Sequence, residues 1–217
     1  MDAGLRTLAI QAGTPFLRFY GWTESAVTFG YSQKWDSVRA ACGEEPGLVR
    51  RETGGGIVDH RHDLTYAFAL PSCHQCSDWS AIQIYCRLHE ALANALHRQG
   101  IDAELAPCRT PDVASPGLAT ACFQRAEPSD VISPENGRKI AGAAMRRHGR
   151  TLLVQGSLDR HALPSDWNDA PFKEYFTEEI LRFLGRETRS MIVSWPDDVP
   201  SADLLEQFRA DSWNQKR

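Results

Sequence analysis

The stretch Arg50-Arg51-Glu52-Thr53-Gly54-Gly55-Gly56-Ile57-Val58-Asp59-His60 sets three consecutive glycines between two strands. Glycine has no side chain to pack and loses the most backbone freedom on folding. Such a run weakens a sheet unless the backbone must approach something closely. A loop of this kind can aim its N–H groups at a carbonyl, a phosphate or a pantetheine arm, with Arg50 and Arg51 adding positive charge. A glycine-rich turn with surface arginines explains the same residues, and the stretch alone does not separate the two readings.

Strands and helices alternate around this loop. Residues 1–14 read as a short helix with Leu5, Leu8 and Ile10 as apolar positions. Phe16–Tyr20 and Ala26–Phe29 read as short strands joined by a Gly21-Trp22-Thr23-Glu24 turn. Residues 34–43 fit a helix, Leu48–Arg51 a strand running into the glycines, and Asp63–Leu70 an alternating strand ended by Pro71. The clearest helix spans residues 79–99: Ala81, Ile84, Tyr85, Leu88, Leu92, Ala95 and Leu96 recur at helical spacing, and Gly100 supplies the stop. Ile101–Leu105 reads as a strand, followed by a Pro-rich stretch through residue 117. A hairpin is expected within 129–158, with arms Lys139–Met145 and Thr151–Leu158 joined across His148-Gly149, and helical pieces at 172–185 and 201–213. Short turns between adjacent strands predict an α/β (α+β) fold, a largely antiparallel sheet backed by helices. The length predicts a single catalytic domain over residues 1–217.

Composition narrows the function classes. With 42% hydrophobic and 24% charged residues the chain is an ordinary globular one, and a net charge of -4 gives no reason to expect nucleic-acid binding. No run approaches the roughly 18 apolar residues of a membrane span, and the first fifteen residues lack a signal-peptide pattern. A cytoplasmic monomer is the default expectation. Cys42, Cys73, Cys76, Cys86, Cys108 and Cys122 are expected as free thiols, because a domain of this size needs no staples. Cys73-His74-Gln75-Cys76 offers half of a zinc site, but no second Cys pair or His pair accompanies it, so no metal is expected.

Two further segments carry chemistry. In Gly137-Arg138-Lys139-Ile140-Ala141-Gly142-Ala143-Ala144-Met145-Arg146-Arg147, small residues after Lys139 leave open space beside it. A lysine facing an apolar slot is placed to donate to a developing oxyanion or a phosphate. A solvated basic hairpin (Arg138, Lys139, Arg146, Arg147, Arg150) accounts for the same composition. Cys122, between Ala121 and Phe123 and ahead of Pro128-Ser129-Asp130-Val131-Ile132, reads by itself as a buried inert thiol. The basic segment within twenty residues makes it a candidate nucleophile.

Taken together, the three segments resemble, in order and spacing, the lipoate/biotin protein-ligase superfamily and its octanoyltransferase and lipoate-protein ligase branch. Arg50-Arg51-x-Thr53-Gly54-Gly55-Gly56-x-Val58-x-His60 with Asp63-Leu64-Thr65-Tyr66 is similar to that family's first motif. Gly137-Arg138-Lys139-Ile140-x-Gly142-x-Ala144 resembles its lysine motif, and Leu152-Leu153-x-Gln155-Gly156-Ser157-Leu158 the strand after it. Leu17-Arg18-Phe19-Tyr20-x-Trp22 and Thr28-x-Gly30-Tyr31-x-Gln33 are similar to its N-terminal strands, so the likeness covers residues 2–160. It implies a class II aminoacyl-tRNA synthetase/biotin ligase-like catalytic domain with an acyl-chain tunnel between the glycine loop and the lysine strand. The biotin-ligase signature Gly-Arg-Gly-x-x-Gly-Arg is absent.

Two chemistries share that scaffold. In the acyltransferase, a cysteine takes an octanoyl group from acyl carrier protein as a thioester and passes it to a lysine of a lipoyl domain or the glycine-cleavage H protein. In the ligase, ATP with magnesium activates free lipoate and no cysteine is needed. Cys122-Phe123 with Pro128-Ser129 resembles the nucleophile segment of the octanoyltransferases that otherwise look like ligases. The resemblance implies Cys122 as nucleophile, Lys139 as the group that positions the acyl carbonyl, and Arg51, Gly54, Gly55, Gly56, His60 and Gly142 as substrate-binding, with no cofactor. Lipoyl amidotransfer and a non-catalytic lipoyl-domain binder remain alternatives. A basic cluster of Arg138, Arg146, Arg147 and Arg150 is placed to steer an acidic acceptor domain.

Overall fold

Along Asp63–Leu70 every residue is buried, so this strand must be covered on both faces. The computed structural model describes residues 2–43, 47–107, 126–185, 189–194 and 201–216, the side chains of Ser201 and Ala202 excepted. In it the strands are β1 (Phe16–Tyr20), β2 (Ala26–Phe29), β3 (Gly47–Arg50), β4 (Ile57–Asp59), β5 (Asp63–Leu70), β6 (Glu104–Leu105), β7 (Val131–Ile132), β8 (Lys139–His148) and β9 (Thr151–Asp159). The helices are α1 (Asp2–Ala12), α2 (Trp35–Cys42), α3 (Ala81–His97), α4 (Asp169–Leu184), α5 (Ser201–Arg209) and α6 (Asp211–Asn214). A six-stranded antiparallel sheet has the order β1-β5-β9-β8-β7-β6, and a three-stranded sheet the order β3-β2-β4.

One face of the large sheet, through Leu64, Tyr66, Phe68 and Leu70, packs on Ile84, Leu88, Leu92 and Leu96 of α3 and on Phe172, Phe176, Ile180 and Leu184 of α4. The other face meets α1 through Ala67, Ala69 and Leu153 against Leu5 and Ala9. The expected mixed α+β architecture holds. α3 forms where the periodicity predicts it: Ser80 and Gln83 cap each other's backbone at its start, and Gly100 takes φ +76° beyond its end. The β8–β9 hairpin also holds, closed by the His148–Thr151 pair with Gly149 at φ +57°.

Several expectations are corrected. Ile10 is 56% exposed, because Leu5, Leu8 and Ala9 share the buried stripe of α1 and Ile10 lies a hundred degrees round from Ala9. β1 and β2 are joined by the expected turn but enter different sheets. β1 pairs with β5, whereas β2 pairs antiparallel with β4 and in parallel with β3, which is reached through α2. The strand expected over 101–105 shrinks to two residues, since the Ile101 amide bonds to Leu96 O (3.2 Å) and the Ala103 amide to His97 Nε2 (3.2 Å) at the end of α3. The single helix expected over 201–213 is broken at Ala210, whose ψ is 136°. Among the described residues no helix is long and apolar enough to cross a membrane.

Candidate active site

The two sheets diverge to leave a cleft of about 490 Å³ between the glycine loop and β8, within the range of small-molecule sites. Of the residues expected at the site, Arg51, Gly55, His60, Lys139 and Gly142 line it. Gly54 and Gly56, also expected there, do not line it; their carbonyls accept from Arg51 within the loop. Cys122 lies outside the described residues.

A change of register turns Lys139 into this cleft. Val131 pairs with Ala141 but Ile132 pairs with Lys139, so one step along β7 matches two along β8 and Ile140 is the extra residue. Lys139 therefore leaves the helix-covered face, where Ile140 and Ala141 are buried, and shares the face of Gly142. Its Nζ lies 2.7 Å from Asp130 Oδ2, with Lys139 7% and Asp130 1% exposed at the side chain. Asp130 also accepts from Tyr85 Oη (2.6 Å) and from the Glu127 amide (2.7 Å). Burial, reinforced by the charge of Asp130, pushes the Tyr85 hydroxyl far above the usual phenol range, so it remains a donor. The same hydroxyl accepts from the Ala143 amide (3.2 Å), filling a ladder position that the two-residue β7 does not reach. Gly142 leaves room for this placement: a Cβ would collide with Lys139 Cε and stand 2.5 Å from its Nζ and 2.8 Å from Asp130 Oδ1, so the lysine would have to shift.

Across the cleft, a chain of hydrogen bonds begins at Arg51, whose N–H groups can only donate. Arg51 Nη1 donates to Thr28 Oγ1 (2.7 Å), Thr28 Oγ1 is hydrogen-bonded to His60 Nε2 (2.7 Å), and His60 Nδ1 is hydrogen-bonded to Asp63 Oδ2 (2.6 Å). Asp63 Oδ2 also accepts from Thr65 (3.0 Å) and Ser157. Trp22 stacks on the His60 ring at 4.4 Å and donates to Thr65 Oγ1 (2.9 Å). The other arm of Arg51, Nη2, holds the carbonyls of Gly54 (2.8 Å) and Gly56 (2.9 Å), which fixes the loop. Gly55 takes φ +86°, and a Cβ on Gly30 would collide with its carbonyl oxygen. Here the glycines serve close packing of backbone against backbone.

The two adjacent arginines divide the work. Arg50 is fully buried, its guanidinium donating to the carbonyls of Tyr31 (2.7 Å), Gln33 (2.7 Å) and Asn214 (2.9 Å). Asp2, which the motif reading missed, lines the cleft. It accepts from Tyr20 Oη (2.6 Å), Gln155 Nε2 (2.7 Å) and Arg18 Nη1 (3.1 Å), and Gln155 in turn accepts from Thr53 (2.8 Å). Burial, then the charge of Asp2, raises the Tyr20 hydroxyl well above its ordinary value. The available signal was Gln155, a polar residue at a strand position otherwise apolar.

The basic cluster expected to steer an acceptor is mostly engaged within the chain. Arg138 pairs with Asp159 (2.9 Å), Arg147 donates to the carbonyls of Ser77 (2.7 Å) and Trp79 (2.9 Å), and Arg150 pairs with Asp78. Arg146 alone of the four bonds to the glycine-loop segment, at Glu52 O (3.1 Å). Cys42, Cys73, Cys76 and Cys86 are free thiols, and no group of metal-ligating side chains occurs among the described residues.

Comparison with known proteins gives this geometry its context. The family model of the lipoyl protein ligase A/B catalytic domain matches residues 1–176. Octanoyltransferase LipM of Symbiobacterium thermophilum is 35% identical over 206 residues, covering 91% of this chain and 65% of its own. The protein of that name from Macrococcus caseolyticus is 32% identical over 169 residues, covering 73% of this chain and 59% of its own. The chain thus spans about three fifths to two thirds of the length of these curated relatives. Among solved structures, a lipoate-protein ligase A bound with ATP superposes at a TM-score of 0.69 with 19% identity, covering 98% of this chain and 92% of that one. The bi-partite lipoate protein ligase of Thermoplasma acidophilum does so at 0.68 with 20% identity, covering 99% and 91%. These structural likenesses show the fold. With the family match running from the N-terminus through β9 and into α4, the chain belongs to the lipoyl protein ligase A/B catalytic-domain family.

Proposed function

We propose that this protein is an octanoyltransferase that moves an octanoyl group from acyl carrier protein, through a thioester on Cys122, to a lysine of a lipoyl domain or of the glycine-cleavage H protein. The observation that carries the reading is Lys139, turned by the β8 bulge into a largely apolar cleft and held there by buried Asp130. The relatives named octanoyltransferase, at 30–35% identity, support the same choice.

In the first step the Cys122 thiolate attacks the carbonyl of the donor thioester, and the carrier thiol leaves and takes up a proton. In the second, the ε-amine of the acceptor lysine attacks the new thioester, the amide forms, the amine loses a proton and Cys122 departs as thiolate. The Lys139 ammonium donates to the carbonyl oxygen as negative charge develops on it in each step. The Arg51-held glycine loop shapes the opposite wall, and His60, fixed by Asp63 and Thr28, keeps that wall in place. Cys122 is five residues from Glu127, a separation of at most about 18 Å in extended chain. The Glu127 amide bonds the same carboxylate that holds Lys139. The reaction as written needs no ATP, magnesium or other cofactor.

Intact mass after mixing the protein with octanoyl-acyl carrier protein, without ATP, tests the reading. A hydroxylamine-labile octanoyl adduct on the wild type, absent from Cys122→Ala, is the expected result. Modification of a lipoyl domain that requires ATP and lipoate, and is equal for both proteins, makes the protein a ligase.

A further inference from the structure

The family match ends at residue 176, yet the chain beyond it returns to the cleft. Leu205, Phe208 and Arg209 of α5 line the cavity, and their i, i+3, i+4 spacing puts them on one face of the helix. The same cavity is lined by Tyr20 and Trp22, with Leu153 and Ala144 on the large sheet. Resting on the acyl-transfer reading, we propose that α5 is a wall of the acyl-chain site, with Leu205 and Phe208 gripping the chain and α6 as the anchor that holds α5 there.

The anchor is built from buried groups. Asn214 of α6 accepts the Arg50 amide at its Oδ1 (2.8 Å), and its main-chain oxygen accepts Arg50 Nε (3.1 Å) and Nη2 (2.9 Å). Trp213 Nε1 donates back to Arg50 O (2.8 Å). Asn214 Nδ2 donates to Phe208 O (3.0 Å), so one side chain ties α6 to β3 and closes the end of α5. Charge-assisted bonds from a fully buried guanidinium are strong and directional, which fixes α5 to the strand that leads into the glycine loop. The Phe208 ring packs edge-on against Trp213 at 5.1 Å. Leu205 is left 40% exposed at the cavity. An alkyl chain is the occupant that fits an apolar wall within the cleft that also receives Lys139, and covering Leu205 gains hydrophobic free energy in proportion to the area removed from water.

The test uses the full chain. Octanoate binding by calorimetry and the KM for octanoyl-acyl carrier protein are measured for wild type, Leu205→Ala/Phe208→Ala and Phe208→Leu. Ile82→Ala, an exposed apolar residue of α3 outside the cleft, is the control. The double variant is expected to raise Kd and KM about tenfold with kcat within twofold, as loss of uniform binding requires. Phe208→Leu, which keeps apolar bulk, is expected to fall between, and Ile82→Ala to match wild type. If the variants retain the wild-type circular dichroism and melting temperature but leave both constants unchanged, the proposal is overturned while the transfer reading stands. If wild type neither binds octanoate nor transfers the acyl group, the transfer reading itself fails and takes the proposal with it. Should the double variant unfold, unchanged constants in Phe208→Leu overturn the proposal and raised ones uphold it.

Discussion

Lys139 and Asp130 are both nearly closed to water, so each depends on the other for its charge. Asp130→Asn keeps the shape but leaves an ammonium buried without its counter-charge, which costs about 3–5 kcal/mol. Adding Lys139→Met removes that charge, so the double variant is expected to recover much of the stability and none of the activity. Urea denaturation beside single-turnover acyl transfer checks both halves. If Asp130→Asn transfers at the wild-type rate, the lysine does not need its carboxylate. His89 gives a second prediction. Burial holds this histidine neutral, with its pKa lowered to about 4, its Nδ1 donating to Ser129 O (2.6 Å) and its Nε2 without a hydrogen-bond partner among the described residues. The unfolded chain takes up this proton near pH 6.5 and the folded one only near pH 4. His89 therefore leaves stability unaffected above pH 6.5 and lowers it progressively between those values, by roughly 3 kcal/mol at the acid end. His89→Leu is expected to lose less stability than wild type between pH 7.5 and pH 5, and equal losses would show that His89 is not the group concerned. At this scale the sequence exposed Lys139 through the small residues after it. Asp130 stayed hidden, because Pro-Ser-Asp reads as turn chemistry and its partner is set by a bulge. Nor could the sequence tell Arg50 from Arg51, since adjacent strand residues face opposite ways and nothing local says which guanidinium clamps the glycine loop.

Helix α3 and the β8–β9 hairpin were legible because their signals are local: a repeat of 3.6, a capping pair, a glycine at positive φ. What escaped was pairing. The turn after β1 suggested that β1 and β2 are neighbours, but Trp22 within it stacks on His60 and bonds Thr65, so the turn crosses the cleft and delivers β2 to the other sheet. The strand expected over 101–105 failed for a similar reason, its amides being taken by the end of α3. The β3–β4 connection makes its own prediction. One guanidinium spans Thr28 and the carbonyls of Gly54 and Gly56, a fork that an ammonium cannot reproduce. Arg51→Lys is expected to loosen the loop, raising the KM for the acyl donor about tenfold while costing about 1–2 kcal/mol of stability. Hydrogen exchange at residues 52–57 reads the loosening directly. Unchanged exchange together with a raised KM would make Arg51 a substrate contact in place of a loop clamp.

At the scale of the molecule, the cleft belongs to no single element. Its walls come from β1 and the turn after it, from the glycine loop on the small sheet, from β8 and β9 on the large one, and from α5 of the tail. A ligand seated among them touches several elements at once, so its binding energy is expressed as stability of the whole. At a hundredfold excess over Kd a single-site ligand adds about 2.7 kcal/mol. For a chain of this size each kcal/mol moves the melting temperature by about 2–4 °C. Octanoate at that excess is therefore expected to raise the melting temperature by about 5–10 °C. Each methylene buried contributes about 0.8 kcal/mol, so hexanoate at the same concentration, two methylenes shorter and about fifteenfold weaker, should give a visibly smaller shift. Equal shifts for the two acids would mean that the cleft holds the carboxylate and leaves the chain in water, and the alkyl grip assigned to its walls would have to be abandoned.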